Sequence, residues 1–300
     1  MKNFYSRRKK ILYKFEILAT VELAHYFRSA FTPYQVWRLL LIKLEYDKFI
    51  RTIRELVNEK KLREKNGHLY RKNYLEQSEA KKSYSRTIFI NNKFYLRILS
   101  ELPFIKYLGL TGANAFESCT ENDDIDLFVV TDKNRLWVSY ILIVLFSKLL
   151  GKRNIFCVNY LVDENNLTIK HQNYYTAVQL MHMIPLFDGE MNIKLVKSNE
   201  WICNYLPNAD DRLPVNPFYL IKAESRNGKS SDTLNIDEKD FLTLLNRFIY
   251  RKYSARLKRN FPQAFGKGII LTEGIAKLNR HDYQDIYQKI YKEIKEVLVL

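Results

Sequence analysis

The sequence predicts an α+β protein in which a small mixed sheet with flanking helices follows a helical unit with one hairpin and precedes a helical C-terminal region. Three observations carry this. Residues 105–162 alternate strand-like and helix-like runs about one turn glycine, Gly112. Asn66-Gly67 stands between two short alternating segments, the strongest local sign of a two-residue hairpin turn. Long runs on either side, Ile11–Phe27 and residues 235–259, read as helices. The 300 residues are 47% hydrophobic and 27% charged, ordinary globular usage that excludes disorder as the main state. Nine Gly and seven Pro exclude a collagen-like or linker-dominated chain.

Taken in order, the helical run Ile11–Phe27 leads to Thr32-Pro33, a cap followed by proline at the first helical position, which opens a helix over Pro33–Leu41. Asp47 is placed to cap a third helix with Phe49, Ile53 and Leu56 on one face and Arg51, Arg54 and Lys60 elsewhere. The segment KLREK-NG-HLYRKN then makes two strands about Asn66-Gly67. Three helices and a hairpin define a winged helix over residues 1–75. A connecting helix over 76–102 ends before Pro103. The core, residues 103–206, holds strands at Ile105–Leu110, Ile125–Val130 and Ile155–Val162, with a fourth expected at Leu167–Lys170. Asp132 is expected to cap the apolar helix Arg135–Leu150, with Gly151 beyond its end, and another helix covers 174–186, halted near Pro185. Residues 207–234 read as a linker or long loop rich in Pro, Asn, Gly and Ser. In 235–300, Asn235 and Glu238 form a capping-box pattern for a helix to Arg259; Pro262 stops it, and a last helix spans His281–Leu298.

The net charge is +16 and unevenly spread. Residues 1–90 hold 21 Lys and Arg against 9 Asp and Glu, and the last sixty hold 12 against 5. Such basic faces raise the local concentration of phosphorylated partners, nucleotides and nucleic acid alike. The basic start of the chain is not followed by an apolar segment of signal-peptide length, and Leu136–Leu150 is shorter than the ~20 residues a bilayer requires. A cytoplasmic protein without a membrane span is expected, with Cys119, Cys157 and Cys203 as reduced thiols. The five histidines show no metal-ligand spacing.

Against this basic background, Glu117–Asp132 carries six acids and no base: Glu117, Glu121, Asp123, Asp124, Asp126 and Asp132. In a strand, residues i and i+2 share a face, so Asp124 and Asp126 project together while Ile125 and Leu127 enter the core. Two adjacent carboxylates repel unless a divalent cation lies between them. Mg²⁺ is commonly held by one or two carboxylates plus substrate phosphates. Gly112 permits a tight turn and close approach to a phosphate, and the short helix after it offers backbone N–H groups to the same anion.

Leu110-Thr111-Gly112-Ala113, ten intervening residues and Asp124-Ile125-Asp126-Leu127 resemble the nucleotidyltransferase signature of the DNA polymerase β superfamily. Asp132–Trp137, Phe156–Tyr160, Tyr175–Ala177 and Trp201–Asn208 are similar to a bacterial group of nucleotidyltransferase-domain proteins that join a winged-helix-like segment to this core and a helical tail. The resemblance implies a polymerase-β-like core with Asp124 and Asp126 as catalytic metal ligands. It implies nucleotide binding at Gly112, Ala113 and Asn114, an NTP substrate, and Mg²⁺ with Mn²⁺ as a substitute. Two departures stand out. The family's usual Gly-Ser is Gly112-Ala113 here, which removes a hydroxyl from the phosphate site. Where a third carboxylate is expected the strand offers Asn159, a ligand through its amide oxygen but no base, with Asp163 at the strand's end read as a turn residue. The expected activity is transfer of an NMP group from an NTP to an acceptor hydroxyl. The alternative is a degenerate transferase fold that senses nucleotides or binds nucleic acid through its basic faces.

Overall fold

The computed structural model describes residues 2–26, 28–71, 75–221, 236–279, 289, 290, 292 and 293. Asn235, and with it the capping-box reading, lies outside them, as does most of the helix expected over His281–Leu298. The chain opens with α1 (Lys2–Tyr26), α2 (Pro33–Arg38) and α3 (Tyr46–Asn58), followed by the hairpin β1 (Arg63–Lys65) and β2 (His68–Tyr70). Thr32 caps α2 by accepting from Gln35 N at 3.3 Å, and Gln35 Oε1 takes the Thr32 amide at 2.9 Å. Asn66 and Gly67 adopt φ of 52° and 71°, as a two-residue hairpin turn needs, and set β1 antiparallel to β2. Asp47 sits in the first turn of α3 rather than capping it; Glu45 holds that position.

The next elements are α4 (Leu75–Ser100), β3 (Ile105–Leu110), α5 (Gly112–Ala115), β4 (Ile125–Thr131), α6 (Leu136–Leu149) and β5 (Phe156–Asp163). They continue with α7 (Tyr174–His182), β6 (Ile184–Pro185), α8 (Met191–Lys197), α9 (Ile202–Tyr205), α10 (Ile236–Asn260), β7 (Ile269–Leu271) and β8 (Ile275–Leu278). Six strands form one mixed sheet in the order β6-β3-β4-β5-β8-β7. Only β4 and β5 run parallel, joined over the sheet by α6; the other pairs are antiparallel. Two central strands therefore begin at the same end of the sheet, a point on which the site depends.

Each face of the sheet is covered. On one, Tyr107, Phe128 and Val130 join Ile17, Val21, Phe31 and Leu180 in a buried cluster. On the other, Leu108, Leu127 and Val129 pack with Phe89 and Leu96 of α4 and with Trp137 and Tyr140 of α6. β4 is thus apolar almost throughout because both of its faces are buried. The N-terminal helices keep no separate core: theirs is continuous with the sheet's. Phe31 and Phe116 bracket the His182 ring at 4.9 and 4.3 Å, and Arg38 crosses the junction to reach Asp210 at 2.7 Å and Met181 O at 3.2 Å.

Several expected elements are corrected. Leu167–Lys170 is irregular, since the edge of β5 it would need is taken by β8. That β7–β8 hairpin lies between Pro262 and His281, where the sequence suggested no element; strands of three and four residues are too short to reveal their period. Helix α7 stops at His182, and Ile184–Pro185 pairs with β3 at the sheet edge, where the missing proline N–H is tolerated. Asp132 does not cap α6. Arg135 holds the cap position, and the buried Asp132 carboxylate pairs with Lys106 Nζ at 3.3 Å. Of the expected linker, residues 207–221 are packed: Asn208 satisfies Leu44 N, Trp37 O and Ile42 O, while Leu213 and Tyr219 are buried. No helix among the described residues is long and apolar enough to cross a membrane.

Trp137 joins three of these layers. It is fully buried, its Nε1 donates to Thr272 O at 2.8 Å in the β7–β8 turn, and its amide donates to Asn246 Oδ1 of α10 at 2.7 Å. Trp137→Ala is expected to cost about 3–5 kcal/mol, read as a lower denaturant midpoint at an unchanged m-value.

Candidate functional site

The site forms where β3 ends and β4 and β5 begin. After Leu110 the chain turns through Thr111, whose N–H donates to Asp126 O at 2.9 Å, and enters α5 at Gly112. Gly112 has φ of 57°, and a Cβ there would lie 2.1 Å from Asp126 Oδ2. The turn therefore requires glycine twice over, for its backbone conformation and for the carboxylate packed against it. Asp126 shares its face of β4 with Phe128 and Val130 and so points toward the layer that holds the N-terminal helices. Asn114 is buried, and its Nδ2 donates to Asp124 O at 2.7 Å. Its side chain positions the acidic strand rather than facing a nucleotide.

Across the parallel pair, Cys157 stands opposite Asp126. Leu127 pairs with Val158 and Phe128 with Tyr160, so Asn159 is an extra residue in β5, a bulge of the kind that re-aims a side chain. Asn159 Nδ2 donates to Asp126 Oδ1 at 2.5 Å, and its Oδ1 accepts from Cys157 Sγ at 3.3 Å. The amide thus straps the carboxylate to the thiol, and both of its ends are engaged. Ligand atoms of Asp124, Asp126 and Cys157 all lie within 4.8 Å of one another. These three could hold a metal ion. Thr111 Oγ1 beside them is buried without a hydrogen-bond partner, and the two carboxylates match what Mg²⁺ takes from a protein; the thiol is the softer donor.

Burial, and then the neighbouring Asp124 charge, push the Asp126 carboxyl up to about 7, against the opposing hydrogen bond from Asn159. Burial and the same two carboxylates push the Cys157 thiol up to about 12. Both shifts describe a half-buried site that concentrates negative charge. Asp126 and Cys157 border a cavity of about 930 Å³ lined also by the Thr111–Ala113 turn, Asn159, Arg28, Arg153 and Tyr175, among others.

Two other acids of the 117–132 segment are employed elsewhere. Glu117 pairs with Arg86 at 3.1 Å and accepts from Tyr219 Oη at 2.9 Å, which fastens the segment to α4. Asp123 accepts from Thr120 N and Oγ1. Asp163 lies opposite Thr131, five residues along β4 from Asp126, or ~16 Å of strand. It accepts from the backbone N–H groups of Asn134 and Asn165, as a turn residue does. Cys157 was not expected from the sequence; the signal available was its i, i−2 spacing from Asn159. No family model, curated protein or solved structure matches this chain.

Two outcomes are expected. Gly112→Ala should lower stability by about 1–3 kcal/mol through backbone strain, with more from the displaced carboxylate, measured by chemical unfolding. In metal-free protein the raised Asp126 value means that the folded state binds this proton more tightly than the unfolded chain. The stability it confers is complete below about pH 4 and lost as pH rises toward about 7. Asp126→Asn should therefore melt above the unsubstituted protein at about pH 8 and lose that advantage at about pH 4, and added Mg²⁺ should raise the melting temperature of the unsubstituted protein alone.

Proposed function

We propose that this protein is a Mg²⁺-dependent nucleotidyltransferase of the polymerase β kind, moving an NMP group from an NTP to an acceptor hydroxyl with release of pyrophosphate. The observation that carries the reading is the grouping of the Asp124 and Asp126 carboxylates, with Asp126 packed on the Gly112 turn and lining a cavity of about 930 Å³. Bound Mg²⁺ would supply charge neutralisation on the phosphoryl oxygens. Asp124 and Asp126 would hold it, and Asn159 keeps Asp126 turned toward the site. The Gly112–Ala113 backbone lets phosphates approach without a side chain in the way. Catalysis by this chain is then positioning and electrostatic stabilisation, with no covalent step on the protein. In the metal-free protein burial and the neighbouring carboxylates keep the Cys157 thiol neutral. The basic faces favour an acceptor that carries phosphates, nucleic acid among them.

A second reading rests on a specific feature. The third position of the metal site is Cys157 strapped by Asn159 rather than a carboxylate, which favours a nucleotide-sensing or nucleic-acid-binding regulator without turnover. Pyrophosphate release from each of the four NTPs, with RNA and protein as acceptors, separates the two. Release that depends on Mg²⁺ and falls at least 100-fold in Asp124→Asn/Asp126→Asn supports the transferase (~2.7 kcal/mol of barrier). Metal-dependent NTP binding without product supports the nucleotide-sensing regulator, and no NTP binding overturns both it and the transferase.

A further inference from the structure

The wall of the cavity nearest the Gly112 turn is not built by the sheet alone. Tyr26, at the end of α1, and Arg28, just beyond it, line the cavity together with Thr111, Gly112, Ala113 and Asp126. Neighbours on both sides of Arg28 fix it in place. His25 Nδ1 lies 3.2 Å from Ser29 O, and Ser29 Oγ donates to Phe116 O at 2.5 Å, just past α5. Two residues further on, the Phe31 ring stacks on Phe116. Between these anchors Arg28 adopts φ of 58°, a left-handed conformation that long side chains rarely take. It is the left-handed residue that closes the C-terminus of α1, where the Ser29 N–H returns to Ala24 O at 2.8 Å.

The guanidinium side is exposed while the backbone is locked. Lys81 of α4 stands near it; burial, and then the Arg28 charge, hold that ammonium below its ordinary value, with Asp123 opposing. Arg28 thus lines the same cavity as a turn whose own side chain, Ala113, offers no hydrogen-bond donor. A planar arginine fork matches phosphate better than an ammonium does.

We propose that Arg28, carried by the N-terminal helical unit, is the polyphosphate-recognising residue of the site, binding the β- and γ-phosphate oxygens of a nucleoside triphosphate in place of the hydroxyl that Ala113 lacks. This rests on the nucleotide-binding reading above and adds the residue that tells a triphosphate from a monophosphate. It also gives the shared core between the N-terminal helices and the sheet a function: the phosphate contact and the carboxylates must keep a fixed distance.

The test is equilibrium binding of a Mg²⁺-NTP and of the NMP of the same base to the full chain. The unsubstituted protein is compared with Arg28→Ala, Arg28→Gly and the exposed α3 control Arg54→Ala. Arg28→Gly removes the side chain while relieving the positive φ, so its folding is not in question. Both Arg28 variants should lose about tenfold or more in NTP affinity, as expected for a charge-assisted hydrogen bond, and less than about twofold in NMP affinity. Ala113→Ser in the Arg28→Gly background should recover part of the loss, and Arg54→Ala should change neither ligand. Equal changes for NTP and NMP, or none, in Arg28→Gly would overturn the assignment and leave the nucleotide-binding reading standing. An unsubstituted protein that binds no nucleotide would overturn that reading and the assignment with it.

Discussion

The approach of the Gly112 backbone to the Asp126 carboxylate sets the geometry on which the rest of the site depends. A single Cβ at Gly112 would stand where Asp126 Oδ2 now is, so the turn after β3 and the acid on β4 are fitted to each other. Thr111 N–H to Asp126 O and Asn114 Nδ2 to Asp124 O tie the same two segments along their backbones. The result is a carboxylate held from behind by glycine and from the side by Asn159, with its freedom to relax much reduced. Such a group resists neutralisation by rearrangement; protonation or a cation remains.

This local fit persists because the sheet beneath it is covered on both faces. β4 carries Asp126 near its start, with Asp124 just before it, and buried apolar residues for most of the rest of its length, so its register is fixed by burial. The parallel pairing of β4 with β5 then brings Cys157 and the bulged Asn159 beside Asp126. One face of the sheet is closed by α4, α6 and α10, the other by helices that include the N-terminal three. A unit of three helices and a hairpin could have served as a tethered module. Here its apolar side is continuous with the core, and its junction carries Ser29 and Phe31 into contact with Phe116, just past α5.

The chemistry of the site is a balance between two donor types. Two carboxylates in a shielded position favour a hard divalent cation, while the thiol beside them is softer and neutral in the absence of metal. Asn159 fixes the spacing of both. A carboxylate at that position would have added a third negative charge and a proton acceptor; the amide adds neither, and the transferase and regulator readings divide on this difference.

Much of this was legible in the sequence because the relevant rules are local. The Asn66-Gly67 turn, the Thr32-Pro33 cap and the need for glycine at 112 all follow from backbone preferences over a few residues. Other features were not legible. Cys157 is an ordinary strand residue until strand pairing sets it opposite Asp126. Asn114 looked like a phosphate ligand until its amide was seen to be engaged with the acidic strand. The β7–β8 hairpin is too short to show a period, and Arg28 is 84 residues from Gly112 in the chain. The sequence by itself determined which residues can turn, cap, alternate and carry charge, since those properties depend on dihedral preferences and side-chain chemistry. Only the tertiary structure decided which of them meet, because pairing register, the bulge at Asn159 and the docking of the N-terminal helices are set by burial between segments far apart in the chain.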